Sequence, residues 1–127
     1  MSVIERGPMM SIEALWTVTF ASNLGASGGG VVIFETDRLF GGDPDYIYVG
    51  KYGVSADGKQ ISADLEITNY SGRLNSVFGH SAQFKLHIDA PFPQDDAIDG
   101  FMQASGHVIG APQLKMALTL TKRALLP

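Results

Sequence analysis

The sequence contains no cysteine, and this absence excludes several functional classes at once. Without a thiol the chain can form no disulfide, no cysteine-based zinc ribbon and no thiol nucleophile. It also has no apolar run near the roughly 20 residues that a membrane-spanning helix needs. With 45% hydrophobic and 17% charged residues in 127 positions, the composition predicts one soluble globular domain rather than a disordered chain.

Positive charge is also scarce. The chain has 9 Lys and Arg residues against 13 Asp and Glu residues, and its formal net charge is −4. Apart from the adjacent Lys122 and Arg123, the basic residues are scattered singly along the sequence. Nucleic-acid backbones are bound by clustered basic side chains, so we expect no nucleic-acid partner.

The first ten residues, MSVIERGPMM, lack the features of a signal peptide. A signal peptide needs a long apolar core and a small-residue cleavage site, whereas Glu5, Arg6 and the helix-hostile Gly7-Pro8 interrupt this stretch. We therefore expect a cytoplasmic protein that makes no membrane contact. Residues 1–10 are predicted to be a disordered leader, followed by a single domain over residues 11–127.

Apolar and polar residues alternate in nearly every segment after Glu13, which is the pattern of β-strands with one buried face. The clearest case is QISADLEITNY, where the apolar residues at alternate positions from Ile61 to Ile67 share one face and the polar residues share the other. Helical periodicity is nearly absent. A single helical turn is predicted around Leu74 to Phe78, inside a loop.

About eight such strands follow one another, joined mostly by tight turns. One turn is predicted at Thr36-Asp37, and another at Asp57-Gly58, where a type I′ geometry would need positive φ at both central residues. The pattern predicts an all-β protein, a small closed eight-stranded antiparallel up-and-down β-barrel, because closure removes exposed edge strands. Two stacked sheets are the alternative.

The stretch RLFGGDPDYIYVGKY raises the question of a phosphate-binding loop. Such loops lead into the N-terminus of a helix, where free N–H groups face the anion, whereas this one leads into a strand. We therefore interpret Gly41-Gly42 as a bulge or corner of the sheet. Asp43 is predicted to cap the turn before Pro44 through its side chain.

Catalytic and metal-binding patterns are missing from the sequence. The three histidines, His80, His87 and His107, lie in separate segments without the spacing of a zinc or iron site, and His87 is expected on the outer surface. No serine or threonine lies in a nucleophile elbow. We predict no enzymatic activity, no metal and no cofactor, and we interpret residues 94–97 as an acidic, solvated turn.

An eight-stranded barrel is about the size at which the interior either fills with side chains or holds one small ligand. A calycin-like binder or sensor of a small hydrophobic ligand is therefore one functional hypothesis. The apolar residues that we expect to line the barrel interior are Trp16, Val18, Phe20, Leu65, Phe84 and Met116.

Three tyrosines, Tyr46, Tyr48 and Tyr52, share one face of the predicted fourth strand. If that face points outward, they form a stripe suited to a protein interface, where tyrosine is enriched. If it points inward, they line a pocket with aromatic walls and hydroxyl groups. Ordinary cross-strand aromatic packing is a third interpretation.

The order of several motifs resembles the GrlR-like proteins, small bacterial negative regulators of type III secretion gene expression. These motifs are LWTVTFASN, a glycine-rich hairpin into GVVIF, then GGD followed by Tyr48-Val49-Gly50. The similarity spans nearly the whole chain after Met10. It is densest from Leu15 to Gly50 and looser after Tyr70.

The resemblance implies a closed, lipocalin-like eight-stranded barrel that forms a cytoplasmic homodimer and binds a transcriptional activator. The founding member of that family contacts its activator through four alternating acidic residues before the fifth strand. The matching segment here, VSADGKQ, keeps Asp57 as its one acidic residue, with Lys59 nearby. Asp57, Lys59 and the three tyrosines are thus the candidate partner-binding residues, and electrostatic attraction to a basic partner is expected to be weaker.

Overall fold

The computed structural model describes residues 12–93 and 97–127. The leader expected at residues 1–10 and most of the acidic turn expected at residues 94–97 lie outside the described residues. Across the described residues there is no helix that could cross a membrane. The eight strands are β1 (Ala14–Ser22), β2 (Ser27–Glu35), β3 (Arg38–Gly42), β4 (Tyr46–Val54), β5 (Gln60–Asn69), β6 (Gln83–Pro91), β7 (Phe101–Val108) and β8 (Ala111–Ala124).

The eight strands form a closed antiparallel barrel in which every strand pairs with the next along the chain. Closure comes from β8, which pairs with β1 from Leu15 opposite Ala124 to Ser22 opposite Met116. The up-and-down barrel that the sequence predicted is therefore confirmed, and the architecture is consistent with a lipocalin-like barrel. Two stacked sheets are not what the chain forms.

The period-2 pattern decides which side chains enter the barrel. On β5, Ile61, Ala63, Leu65 and Ile67 are buried, whereas the polar residues at the intervening positions 62–66 are exposed. Burial of each large aliphatic side chain contributes about 1.5–3 kcal/mol, so this alternation fixes which face of the strand points inward.

One end of the barrel, here called the lower end, is closed by Trp16. Its indole is 1% exposed, and its N–H donates a 2.9 Å hydrogen bond to the Ile12 carbonyl. The Phe34 ring meets it edge-on at 6.0 Å, and the Lys122 ammonium lies 6.0 Å from the indole centroid. Hydrogen bonding of the indole N–H lets this large side chain be buried without leaving an unsatisfied donor.

The turns between strands agree with the sequence in one case and differ in another. Thr36 and Asp37 adopt φ of 46° and 69°, so the tight turn predicted between β2 and β3 is confirmed. Between β4 and β5, Gly58 has a positive φ of 73° but Asp57 does not, so the type I′ prediction is wrong. Residues 55–59 form a longer loop instead, closed by the Ser55 N–H donating to the Gln60 carbonyl at 2.9 Å.

Gly41 and Gly42 serve close backbone approach rather than a bulge. β3 keeps a continuous register with both β2 and β4 through these two residues, so the predicted bulge is absent. A Cβ atom on Gly41 would overlap the Val31 carbonyl oxygen of the neighbouring strand. Glycine is required there because no larger residue leaves room for that carbonyl.

The longest connection between strands, residues 70–82 between β5 and β6, is here called the upper loop because it covers the other end of the barrel. It contains no helix, so the helical turn predicted around Leu74 to Phe78 is wrong. A short bridge joins Ser76 to Gly79 instead. This turn directs Val77 and Phe78 into the barrel, where each is 8% exposed.

Candidate functional site

The barrel encloses a cavity of about 90 Å³. Its wall is formed almost entirely by aliphatic and aromatic side chains from all eight strands, together with Ser76 and Val77 of the upper loop. On β5 alone the wall runs from Ile61 near the lower end to Ile67 near the upper end. The cavity is therefore a narrow apolar space along the barrel axis, and a space of this kind stays free of water.

Five of the six residues expected inside the barrel line this cavity. Val18, Phe20, Leu65, Phe84 and Met116 contribute to its wall. Trp16 is also inside the barrel, but it packs below the cavity at the closed lower end.

The structure places all three tyrosines of β4 on the inner face. Tyr46 and Tyr48 are 3% and 6% exposed and line the cavity, so an outward partner-binding stripe of tyrosines is wrong. Tyr52 is half-buried and packs edge-on against Phe34 at 5.1 Å. Side chains alternate along β4, so Tyr46, Tyr48 and Tyr52 share the face that points to the core. A shift of the strand register by one residue would turn all three rings toward water.

Asp43 is the polar centre of the Gly-Gly-Asp stretch. One of its carboxylate oxygens accepts hydrogen bonds from the backbone N–H groups of Asp45 and Tyr46, each at 2.8 Å, so the predicted side-chain cap is confirmed. The other oxygen accepts a short hydrogen bond from the Tyr48 hydroxyl. Burial, with this hydrogen bond and the Asp43 charge, strongly raises the pKa of Tyr48. Gly30 leaves the space for this contact, because a Cβ there would meet the Tyr48 oxygen at 2.8 Å.

The upper loop is tied to the barrel by side-chain contacts at several places, three of which follow. The Ser22 hydroxyl at the end of β1 donates to the Val77 carbonyl at 2.7 Å. The Tyr46 hydroxyl donates to the Ser81 carbonyl at 2.7 Å. The Arg73 guanidinium contacts the buried Asp45 carboxylate at 3.1 Å, which is the third tie.

The Asp45 carboxylate accepts hydrogen bonds from several residues at the beginning of the upper loop. Hydrogen bonds from the side chains of Ser71 and Asn75, and then from Arg73, hold its pKa below the ordinary value although burial opposes them. The Asn69 side-chain amide adds a 3.1 Å hydrogen bond to the Asp45 carbonyl. A carboxylate that accepts several hydrogen bonds stays ionised, so this tie persists across the neutral pH range.

The outer surface carries an apolar face across β1 to β4, which the sequence reading did not single out. Paired positions place its side chains side by side: Leu15 opposite Ile33, Ile33 opposite Phe40, and Phe40 opposite Val49. The adjacent row holds the two exposed residues on either side of Gly42. The outer apolar face consists of Leu15, Val31, Ile33, Phe40, Ile47 and Val49.

Exposure distinguishes this face from the neighbouring strand. Val31 and Ile47 are 44% exposed and Val49 is 56% exposed. On β5, the outward positions opposite them carry Glu66 and Thr68. At the β2–β3 turn the face is bordered by an ion pair of Glu35 and Arg38 at 3.0 Å. A contiguous exposed apolar area with a polar border is typical of an interaction surface.

Asp57 and Lys59 lie in the loop between β4 and β5, at the lower end of the barrel. The Asp57 carboxylate accepts hydrogen bonds from the Ser55 hydroxyl at 2.6 Å and from the Lys59 N–H at 3.0 Å. These hydrogen bonds lower its pKa. The loop therefore presents a negative charge in a fixed position, with both residues exposed to solvent.

A histidine lies between two carboxylates on the outer face of β5 to β7. The two ring nitrogens of His87 lie 2.6 Å from an Asp64 oxygen and 2.9 Å from an Asp89 oxygen, and its ring centre is 5.4 Å from that of His107. The hydrogen bond to Asp64 and the Asp89 charge raise the pKa of His87 against partial burial. Sequence spacing did not reveal these partners, because Asp64 and His107 reach His87 through the strand register.

The side chains described above form an apolar cavity wall and an exposed apolar surface. Within residues 12–93 and 97–127, no group of three or more His, Cys, Asp or Glu side chains is arranged to hold a metal ion. The hydroxyls of Tyr46 and Tyr48 at the cavity wall already donate hydrogen bonds to protein acceptors. Comparison with known proteins gives no match, either to a protein-family model or to a curated protein.

Proposed function

We propose that this chain is a non-enzymatic regulatory binding protein, similar to the GrlR-like repressors, that acts in the cytoplasm by binding a protein partner such as a transcriptional activator. The observation that supports it best is the outer apolar face. Exposed Val31, Ile47 and Val49 lie together on this face and have no counterpart on the polar outer side of the neighbouring β5. Removing such side chains from water is the main driving force of protein association.

The occupant that fits this face is a second copy of the chain. The centre of the face is uncharged, and the nearby Glu35 and Arg38 form an ion pair with each other. The face therefore does not need a partner of opposite charge. A two-fold dimer places the same surface patch against itself, which an uncharged apolar patch tolerates. With a net charge of −4, two copies repel weakly elsewhere and associate where charge is absent.

The regulatory partner is proposed to bind at the lower end, through the loop that carries Asp57 and Lys59. A homodimer formed through β1 to β4 leaves this exposed loop accessible on each copy. One fixed carboxylate beside one ammonium group gives little net charge. Association with a basic activator would therefore be slower and less dependent on salt than for a loop of several carboxylates.

Sedimentation velocity of the wild type, Val49→Asp and Gln103→Asp tests the dimer. Gln103 is exposed on β7, on the far side of the barrel, and is the matched control for the added charge. We expect a dimer for the wild type and Gln103→Asp, and a monomer for Val49→Asp, because burying an unpaired carboxylate opposes association. A monomeric wild type, or equal dissociation of both variants, would contradict the proposed interface.

Native mass spectrometry of the protein purified gently from its own host tests the regulatory partner. A dimer that carries a second polypeptide, lost on Asp57→Lys but kept on Lys85→Glu, would support the proposal. Lys85 is an exposed charge on β6 and controls for a charge reversal at a position outside the loop. Dimers that carry no second polypeptide under these conditions would count against the regulatory partner.

The enclosed cavity favours a second candidate function, the binding or sensing of a small hydrophobic ligand. Its wall is almost entirely apolar, as expected of a site for such a ligand. A ligand that binds the folded state raises thermal stability by mass action. Melting temperatures that do not change with lipids or other long-chain apolar compounds would contradict this function.

A further inference from the structure

The upper end of the cavity is closed by two side chains of the upper loop. Val77 forms part of the cavity wall, and the Phe78 ring meets Phe84 edge-on at 5.7 Å. Both residues are buried, although they belong to a loop and not to a strand. Val77 and Phe78, here called the plug, thus fill space that the strands alone leave open.

The loop that carries the plug is attached to the barrel mainly by side-chain contacts and not by strand pairing. In the described part of the chain, the backbone-to-backbone hydrogen bonds of residues 71–81 join loop residues to one another, as from the Gly79 N–H to the Ser76 carbonyl at 3.0 Å. No ladder of strand pairing holds this segment, unlike β6, which pairs with β5 over nine positions from Gln60↔Pro91 to Thr68↔Gln83. A segment without backbone pairing to its surroundings opens at lower free energy than the strands do.

The cavity is long but small. Its wall extends from Ile61 to Ile67 on β5, six positions that span about 20 Å along a strand. Its volume of about 90 Å³ is less than the roughly 150 Å³ of an apolar cavity that holds benzene. An extended hydrocarbon chain matches this length, but its volume needs the space that the plug now fills.

The chemistry of the wall excludes a charged group from the interior. The inward hydroxyls of Tyr46 and Tyr48 donate to Ser81 and Asp43, so neither is free to pair with a buried carboxylate or phosphate. Burial of an unpaired charge is strongly unfavourable. A ligand in this cavity would therefore be uncharged along the part that enters the barrel.

We propose that the upper loop is a displaceable lid and that the site beneath it takes an uncharged ligand with an extended hydrocarbon chain, which replaces the side chains of Val77 and Phe78. The inference rests on the second candidate function and adds the route of entry and the class of ligand. Opening breaks the contacts of Ser22 and Tyr46 with the loop, while the strand pairing of the barrel stays intact.

The test measures binding of two probes, decan-1-ol and benzene, by NMR of the isotope-labelled methyl groups of Met102 and Met116, which line the cavity. The wild type is compared with Phe78→Ala, which removes most of the plug. Leu74→Ala is the matched control, because Leu74 is an exposed apolar residue of the same loop. Benzene reports whether the cavity admits an apolar molecule at all.

We expect decan-1-ol to shift both methyl signals and to bind Phe78→Ala about tenfold more tightly than the wild type, since the unfavourable opening step is removed. Leu74→Ala should bind like the wild type. Benzene binding with equal decan-1-ol affinity in all three proteins would overturn the lid but leave the ligand-binding function standing. Methyl signals that respond to neither probe would overturn both.

A second variant covers a failure of Phe78→Ala to fold. Ser22→Ala removes one tie of the lid and leaves the plug side chains in place. We expect faster association of decan-1-ol with this variant than with the wild type, because opening precedes entry. An unchanged association rate would overturn the lid.

Discussion

Ser22 and Val77 lie 55 positions apart in the chain, and the Ser22 hydroxyl donates a 2.7 Å hydrogen bond to the Val77 carbonyl. Both groups are buried where β1 ends beneath the upper loop. We predict that Ser22→Ala lowers the free energy of unfolding by about 1–3 kcal/mol, because the carbonyl loses a donor that water does not replace. Urea denaturation measures this loss, and Ser27→Ala, at an exposed position, should change it little.

The buried Tyr48 donates a hydrogen bond to the Asp43 carboxylate, and the exposed Tyr70 donates one to the Asp43 backbone carbonyl. We predict that Tyr48→Phe lowers the free energy of unfolding by about 1–3 kcal/mol, because a partly buried carboxylate loses a hydrogen bond. Tyr70→Phe is the matched control and should cost less, since water can replace its hydroxyl. A larger loss of unfolding free energy in Tyr70→Phe, measured by urea denaturation, would contradict a stabilising role of the hydrogen bond between Tyr48 and Asp43.

Two glycines of β4 should respond oppositely to the same substitution. A Cβ on Gly50 would overlap the Asp64 carbonyl oxygen, whereas a Cβ on Gly53 meets no atom within 4 Å. We predict that Gly50→Ala costs at least about 1–3 kcal/mol through displacement of β5. Gly53→Ala should be neutral or more stable by up to about 1 kcal/mol. Thermal unfolding measures the stability of the two variants. Equal stability would contradict the close approach of Gly50 to the Asp64 carbonyl.

His87 should make the stability of the barrel depend on pH above about 6.5. Its folded pKa is raised above 6.5 by the Asp64 hydrogen bond and the Asp89 charge. The stabilisation is therefore complete below about pH 6.5 and is lost as pH rises through the raised pKa. We predict a fall in melting temperature across this window that His87→Gln abolishes. The exposed His80→Gln should keep the wild-type profile, and a wild-type profile in His87→Gln would refute the assignment.

The strands could be predicted from the sequence because a strand with one buried face carries an apolar residue at every second position. Ile61 to Ile67 show this directly, and the same rule placed Phe20, Phe84 and Met116 inside the barrel. The pattern did not predict the burial of Val77 and Phe78 in the upper loop, because apolar and polar residues do not alternate around them. The stretch from Leu74 to Phe78 has no sustained period, and the helical turn predicted there is wrong because Phe78 packs against Phe84 instead.

The candidate sites were less predictable than the strands because they depend on register. The outer apolar face brings together residues from four strands, and each contributes one or two apolar side chains that look ordinary in the sequence. The contact of Asp64 with His87 arises in the same way, from a pairing of β5 with β6. Tyr46 and Tyr48 could have been placed inward, because the charged Lys51 has the parity of the opposite face.

The pairing of β1 with β8 has a consequence for synthesis of the protein. Leu15 pairs with Ala124, so the barrel cannot close before nearly the whole described chain has been made. Until then the nascent chain holds an open sheet whose β1 edge has unpaired N–H and C=O groups. Contacts this distant in sequence form slowly, and the open edge is available to other chains in the interval. Folding on the ribosome is therefore completed only when β8 emerges.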